Sequence, residues 1–262
     1  MRDLRATLKI YTKQESLTLN LLNVKATILN SRSAGNGVVI HLNNEAVLVL
    51  DAGIAFDKVL QSINYAPKKI YCLVTHRHKD HSKYVQEYIN RGVHVYLSSD
   101  MYEDYKGTTK HLFNPDELNY TDYFKFYPVE VQHDVVNYGF VVNSPDVGEF
   151  CYFTDTHYIP VILQNCNVIF VEANYCPDII EKRRLSGSLN EAQYARVRNS
   201  HMSINETIRF LKSCNSTCLS NIVLLHLSDG NSDAKMFQEM VAKEIGVRPV
   251  IADKNMELNL GF

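Results

Sequence analysis

Short apolar runs separated by polar turns recur along the chain and predict alternating strands and helices. Strands are predicted at residues 25–31, 38–42, 46–50, 70–74, 93–97, 124–132, 138–143, 149–154, 167–172, 222–225 and 249–252. Helices are predicted at 54–63, 82–92, 203–212 and 233–245, with a short one capped by residues 98–100. Residues 106–123 are predicted to be irregular, 175–200 are polar and basic, and the first 24 residues alternate enough for an extra hairpin. This order implies an α/β fold of two mixed sheets packed together, with helices outside.

Length and composition fit one domain of ordinary α/β size spanning residues 1–262. The 27 basic and 29 acidic side chains give a net charge of −2, so a nucleic-acid contact would require a local basic patch. Six cysteines are scattered without a CxxC pair, which is typical of reduced thiols in a reducing compartment. No apolar run approaches membrane-spanning length and no apolar signal core follows the N-terminus, so we expect a cytoplasmic protein without a membrane partner.

Three histidines and an aspartate directly follow the apolar strand at 70–74. They are His76, His78, Asp80 and His81. Imidazole and carboxylate are the ligands that borderline and hard divalent cations select in proteins. A strand end fixes its last residues and the loop after it can turn back, so these side chains can converge on a cation. An isolated strand-end histidine is commonly structural, but this close spacing predicts a metal site.

Three later apolar strands also end on a residue that can bind a metal. These residues are His133, Asp155 and His226. Each alone has an ordinary alternative, a buried strand-end histidine or a capping aspartate, but together with the first cluster they predict one shared site. Asp51 ends another strand and could cap the following helix, whereas the resemblance of this strand–Asp-Ala-Gly–helix order to metallo-β-lactamase fold proteins implies that it supports the metal loops through hydrogen bonds.

The His-x-His-x-Asp-His spacing resembles that of the metallo-β-lactamase superfamily. The resemblance implies a four-layer αβ/βα sandwich of two mixed β-sheets, with two metal ions at its mouth. It implies that His76, His78 and His133 bind the first metal, that Asp80, His81 and His226 bind the second, and that Asp155 bridges both. Five imidazoles among these ligands favour zinc, and the carboxylates leave manganese as an alternative. Two divalent ions about 3.5–4 Å apart lower the pKa of a shared water from about 15.7 towards about 7, so the expected nucleophile is a bridging hydroxide that Asp80 orients.

Two further elements resemble parts of tRNase Z-like phosphodiesterases. Residues 200–203, Ser-His-Met-Ser, are similar to a Gly-His-Ser-Thr element of those enzymes, and residues 171–174, Val-Glu-Ala-Asn, to a His-Glu-Ala-Thr element. The resemblance implies that His201 stabilises the scissile phosphate or protonates the leaving oxygen, and that Glu172 supports His201. The basic segment before His201 is either a solvated surface or a phosphate contact. Its candidate substrate-binding residues are Arg183, Arg184 and Arg198.

A narrower resemblance is to the YycJ-type family, bacterial and phage proteins regarded as single-strand DNA exonucleases. It is carried by residues 33–37 (SAGNG), 153–156 (FTDT), 182–186 (KRRLS), 200–203 (SHMS) and 225–228 (LHLS). We therefore expect a dinuclear phosphodiesterase, foremost a nuclease acting on single-stranded DNA. The first alternative is a cyclic-nucleotide phosphodiesterase, because the segment between His133 and Asp155 is too short for the long arm of tRNase Z. An acyl hydrolase of thioesters, lactones or β-lactams is the second alternative, and a homodimer is compatible with the sequence.

Overall fold

The computed structural model describes residues 24–66, 68–214 and 217–260. The N-terminal hairpin predicted before the first of these ranges lies outside the described residues. The described strands are β1 Val24–Arg32, β2 Gly35–His41, β3 Ala46–Leu50, β4 Lys69–Leu73, β5 His94–Leu97, β6 Lys110–Leu112, β7 Asn119–Tyr120, β8 Lys125–Val131, β9 Asn137–Ser144, β10 Gly148–Phe153, β11 Val168–Glu172, β12 Asn221–Leu225, β13 Val250–Ile251 and β14 Met256–Leu260. The described helices are α1 Phe56–Ser62, α2 Lys79–Ser82, α3 Val85–Asn90, α4 Ser99–Tyr102, α5 Pro177–Leu185, α6 Glu191–Ser200, α7 Ile204–Ser213 and α8 Ala234–Ile245.

These strands form two mixed sheets, each with a parallel and an antiparallel half. The first sheet has the order β14-β1-β2-β3-β4-β5-β6, antiparallel from β14 to β3 and parallel from β3 to β6. The second sheet has the order β13-β12-β11-β10-β9-β8-β7, parallel from β13 to β10 and antiparallel from there to β7. Each parallel half requires crossover connections, and helices occupy most of them.

The central strands are apolar on both faces because each sheet is covered on both sides. In β3, Leu48 belongs to the core between the sheets, whereas Val47 packs in the cluster that α1 and α3 cover. In β11, Phe170 belongs to the same central core, and Ile169 packs with α7 and α8. This period-two alternation places helices outside both sheets. The predicted α/β class and four-layer αβ/βα sandwich are therefore confirmed.

Four parts of the chain differ from the sequence-based prediction. The strand predicted at 249–252 is not the last one, because β14 follows it and pairs antiparallel with β1. The stretch at 106–123 contains the short strands β6 and β7. The polar segment at 175–200 forms α5 and α6, and the prediction missed them because Ile180 is the one apolar side chain that these helices fully bury. The helix predicted at 82–92 is divided between α2 and α3, and α2 begins within the histidine cluster.

Among the helices of the described ranges, none combines the length and apolar character needed to cross a bilayer. All six cysteines lie within the described residues outside any disulfide bond, and four of them are buried. The sandwich is therefore held by its apolar clusters and sheet hydrogen bonds without help from disulfide bonds.

Candidate metal centre

The seven predicted ligands follow strand ends of both sheets and meet at one edge of the sandwich. His76, His78, Asp80 and His81 follow β4, while His133, Asp155 and His226 follow β8, β10 and β12. Buried Asn137, at the start of β9, joins the two groups. Its backbone bridges to His76, and its Nδ2 donates to the carbonyl oxygen of Asp155 at 2.7 Å. The sequence pattern gave no sign of this amide, which ties a ligand loop of one sheet to a ligand of the other.

Three residues at this edge adopt the left-handed backbone conformation. The φ angles are 67° at Asp51, 50° at Asp155 and 54° at His226. For residues with a Cβ atom this conformation costs roughly 1–2 kcal/mol. Such conformations persist where surrounding contacts determine them. Each of the three lies one or two residues after a buried strand, and each side chain is hydrogen-bonded within the site.

Three imidazole nitrogens converge to form the first ligand group. Nδ1 of His78 lies 3.1 Å from Nε2 of His76 and 3.3 Å from Nε2 of His133. Zinc–nitrogen bonds of about 2.0–2.1 Å at tetrahedral angles separate two ligand nitrogens by about 3.3–3.4 Å. The three nitrogens are therefore spaced to share one cation. Burial lowers the pKa of His76 and of His133, which keeps both rings in the neutral form that metals bind.

A second group lies beside the first and contains the carboxylates. Nε2 of His81 is 3.4 Å from Oδ2 of Asp155 and 3.5 Å from Oδ2 of Asp80. The same Oδ2 of Asp155 is 4.0 Å from Nε2 of His76, so this carboxylate lies between the two groups. Oδ1 of Asp155 is 3.0 Å from Nδ1 of His226. Nε2 of His226 is buried and has no hydrogen-bond partner within the described ranges, which leaves it free to bind a cation.

The charges in the second group favour a bound cation. Burial would lower the pKa of His226, but Asp155 and Glu172 raise it to about 10. Burial also opposes protonation of His81, yet Asp51 and Asp155 raise its pKa well above the ordinary value. Asp155 keeps a pKa well below its usual range because His226 and His81 outweigh its burial. His226 and His81 therefore favour a positive charge at positions where a metal ion could replace the proton, so the donor set fits a divalent cation.

Asp51 orients the histidines of both groups. Its Oδ2 accepts from Nδ1 of His81 at 2.7 Å and from the hydroxyl of Tyr152 at 2.9 Å. Its Oδ1 accepts from the hydroxyl of Thr75 at 2.8 Å, so Oγ1 of Thr75 is left to accept from Nδ1 of His76 at 3.0 Å. Both rings therefore present Nε2 to the metal groups. Since α1 has no side-chain cap, the supporting role is the correct one of the two predicted for Asp51.

His133 is oriented from the end of α6. Its Nδ1 donates to the carbonyl oxygen of Ser200 at 3.1 Å, and a carbonyl can only accept. Nε2 of His133 is therefore the nitrogen left for a cation. The next residue, His201, is the C-cap of α6, and α7 starts after Ser203, close to the predicted start at 203.

Glu172 connects His201 to the metal ligands. Its Oε1 accepts from Nδ1 of His201 at 2.6 Å and lies 3.1 Å from Nδ1 of His226. Its Oε2 accepts from the backbone N–H groups of Thr156 and Met202 at 3.0 and 3.2 Å. Burial opposes the charge on Glu172, but the two histidines lower its pKa, and Glu172 in turn raises the pKa of His201 against the effect of burial. The contacts engage Nδ1 of His201, and no described residue forms a hydrogen bond or ion pair with its Nε2.

Two unpaired cations line the cleft at the metal centre. The cleft has a volume of about 330 Å³, and Lys79 and Arg196 line it together with the ligands. Both side chains belong to exposed residues, and neither makes a hydrogen bond or ion pair with any residue that the structure describes. An adjoining cavity of about 520 Å³ shares Arg196, His201 and His226 with the cleft. The cleft can therefore attract an anion and bind it beside the ligand groups.

The three arginines predicted to bind substrate have partners in the protein. Arg183 donates to Oδ1 of Asn231 at 2.5 Å, and Arg184 forms ion pairs with a glutamate on each of α5 and α6. Arg198 lies 3.4 Å from a tyrosine hydroxyl on its own helix. None of the three lines the metal cleft, whereas Arg196 from the same basic segment does. The sequence shows the cluster of cations but not which member lacks a partner.

No protein-family model and no curated protein matches the chain. Solved structures do match it. The metallo-β-lactamase fold protein YhfI from Bacillus subtilis aligns with a TM-score of 0.71 and 16% identity over 90% of this chain and 99% of that one. Igni18, a metallo hydrolase from Ignicoccus hospitalis, aligns with a TM-score of 0.69 and 13% identity over 92% of this chain and 100% of that one. The short form of human tRNase Z aligns with a TM-score of 0.60 and 14% identity over 91% of this chain and 100% of that one.

These similarities show that the chain has the metallo-β-lactamase fold. The histidine and aspartate groups at its mouth are placed so that they could hold divalent cations. The structural neighbours share the fold that the superfamily resemblance implies. The YycJ-type branch stays a prediction.

Proposed function

We propose that this chain is a dinuclear metal-dependent phosphodiesterase, and that it acts as a nuclease on single-stranded DNA. The observation that carries the proposal is the His201–Glu172 pair beside the metal centre. The ring of His201 lies 5.3 Å from that of His226 and 5.9 Å from that of His133, centroid to centroid. An imidazole fixed by a charged carboxylate can donate a proton to the leaving oxygen of a phosphodiester. A nucleic-acid substrate also agrees with the tRNase Z neighbour, which is a tRNase by name.

The ligand assignment follows the two groups. His76, His78 and His133 would hold the first cation, Asp80, His81 and His226 the second, and Asp155 would contact both. Bound divalent cations would lower the pKa of a water and neutralise charge on the phosphoryl oxygens. Asp80 is partly exposed at the cleft, which suits a carboxylate that orients the attacking water. Zinc suits the five imidazoles, and the two carboxylates keep manganese as the alternative.

The cations of the cleft favour a phosphate substrate over a neutral acyl group. The reacting acyl group of a thioester, lactone or β-lactam is neutral, whereas a phosphodiester carries at its reacting centre the charge that Lys79 and Arg196 would neutralise. Arg196 lines both the cleft and the adjoining cavity, so it can bind the scissile phosphate or the phosphate next to it. Arg183, Arg184 and Arg198 remain candidates for more distant phosphates of a polymeric strand.

Hydrolysis of a small nucleotide, such as a cyclic mononucleotide, is the second candidate function. The adjoining cavity favours it, because about 520 Å³ falls within the range of roughly 300–1,000 Å³ that is usual for small-molecule pockets. Apolar Val197 and Leu227 line this cavity together with the amides of Asn174 and Gln193. Such a mixture suits the faces and edges of a nucleobase.

A substrate screen with purified protein tests the proposal. Protein loaded with Zn²⁺ or Mn²⁺ is incubated with labelled single-stranded DNA, duplex DNA, RNA, cyclic mononucleotides, a thioester and a chromogenic β-lactam. We expect phosphodiester cleavage, and we expect Asp80→Ala and His76→Ala to abolish it while circular dichroism stays unchanged. His41→Gln is the matched control, because this histidine ends β2 outside the metal centre. Acyl hydrolysis alone, or full activity of Asp80→Ala, would contradict the proposal.

A further inference from the structure

Every candidate ligand histidine except His78 has an acceptor for its other nitrogen that lies at hydrogen-bond distance. Nδ1 of His76 faces the Thr75 hydroxyl, and Nδ1 of His81 faces the Asp51 carboxylate. Nδ1 of His133 faces the Ser200 carbonyl. Nδ1 of His226 faces the carboxylates of Asp155 and Glu172. His78 differs because it presents Nδ1 to the first ligand group. Metal-binding histidines almost always donate their second N–H to a fixed acceptor. Nε2 of His78 is therefore the nitrogen whose acceptor has to be found.

Asp134 is in position to be this acceptor. It follows His133 in the connection between β8 and β9, and its side chain is 47% exposed. Its Oδ1 lies 3.5 Å from Nε2 of His78 and 3.0 Å from Nε2 of His133. In the part of the chain that the structure describes, no other side chain forms a hydrogen bond or ion pair with Nε2 of His78.

We propose that Asp134 is the positioning residue for His78 in the cation-loaded centre, an inference that rests on the metal site of the proposed function. The reason lies in the two distances. In the structure one carboxylate oxygen is shared between two nitrogens, and the nearer one belongs to His133. That nitrogen has no hydrogen to donate when it binds a cation. Nε2–H of His78 is then the remaining donor for Asp134, and this hydrogen bond keeps Nδ1 of His78 unprotonated and directed at the cation.

The size of the effect follows from exposure. Loss of such an outer partner typically weakens metal affinity by about 10- to 100-fold. Asp51 is fully buried, but water competes for the carboxylate of Asp134. We therefore expect a change near the lower end of this range at the first cation site.

The test compares Zn²⁺ affinity among four proteins: the wild type, Asp134→Ala, Asp134→Asn and Glu130→Ala. Affinity is measured by competition with a chromophoric chelator, and circular dichroism checks the fold. We expect Asp134→Ala to weaken the affinity by about tenfold. Asp134→Asn should retain most of the affinity, because its amide oxygen still accepts a hydrogen bond. Glu130→Ala should match the wild type, since it removes the same charge from an exposed position on β8.

Each outcome decides the question. Wild-type affinity in Asp134→Ala overturns the inference. Equal losses in Asp134→Ala and Asp134→Asn also overturn it, because they would indicate a need for negative charge or direct coordination. A wild-type protein that binds no Zn²⁺ would instead overturn the metal centre of the proposed function, and this failure is distinguishable from the other two.

Discussion

Removing the guanidinium of Arg196 tests whether the unpaired cation shared by the cleft and its neighbouring cavity binds the substrate phosphate. Arg196 is exposed and has no partner among the described side chains, so Arg196→Ala leaves no buried group without a hydrogen bond. The free energy of unfolding should therefore change by less than about 0.5 kcal/mol. A hydrogen bond to a charged group contributes about 1.5–3 kcal/mol, which corresponds to a loss of about 10- to 150-fold in kcat/KM.

Arg184→Ala is the matched control, because it removes the same charge from the neighbouring helix. Arg184 already pairs with the glutamates at 181 and 191. Because these glutamates already engage its guanidinium and exposed ion pairs contribute little to stability, on a short substrate we expect a change in kcat/KM of less than about fivefold. The comparison separates a specific phosphate contact from the general loss of one positive charge.

The assay measures kcat/KM with a fluorescently labelled single-stranded oligonucleotide at several salt concentrations. Each phosphate contact to a single strand adds about 0.7 to the slope of log affinity against log salt, so Arg196→Ala should reduce the slope by about this amount. Equal losses of kcat/KM in the two variants would refute the role assigned to Arg196. A loss of kcat/KM in Arg184→Ala alone would favour Arg184, the residue predicted from the sequence, as the phosphate contact.

Three further changes test other parts of the site and the fold. His201→Ala should lower kcat for phosphodiesters by about 10²- to 10⁴-fold with unchanged metal content, and a parallel loss of metal would refute its role as proton donor. Asp51→Asn should lower the free energy of unfolding in urea by on the order of 1–3 kcal/mol, because the NH₂ group of the asparagine would face donors that bond to the carboxylate in the wild type. An unchanged urea midpoint would contradict this expectation. Burial raises the pKa of Glu149 from 4.5 to about 7, so the folded state binds the proton more tightly and the free energy of unfolding falls as pH rises across this range. Glu149→Gln should therefore stabilise the protein at pH 8 by up to about 3 kcal/mol and much less at pH 5, whereas equal stabilisation at both pH values would count against the shift.

The metal groups were accessible to sequence analysis because each of them comes shortly after an apolar strand. The motif from His76 to His81 places four donors within six residues, and His133, Asp155 and His226 come one or two residues after later strands. Strand ends converge when sheets pack face to face, so local patterns contained enough information for these residues.

Other features depend on contacts that no local pattern reveals. Arg196 differs from Arg184 only because two glutamates reach the latter in the folded chain. Asp134 has the same appearance in the sequence as any exposed aspartate. β14 was missed because its partner, β1, lies at the other end of the described chain. The helices α5 and α6 were missed because their faces are largely polar, so neither shows the period of a buried helix.

The division of the ligands between the two sheets has a consequence for the lifetime of the protein. Four of the seven predicted ligands follow β4 in one sheet, and three follow strands of the other. Cations that bind only this assembled edge would stabilise the folded state, and at a concentration of a thousand times Kd each would add about 4 kcal/mol to the free energy of unfolding. A chelator would then open the sandwich at its mouth first, with faster amide exchange near Asn137 than in the apolar interior. The abundance of the protein in a cell would consequently follow the supply of trace metal, independently of any demand for its activity.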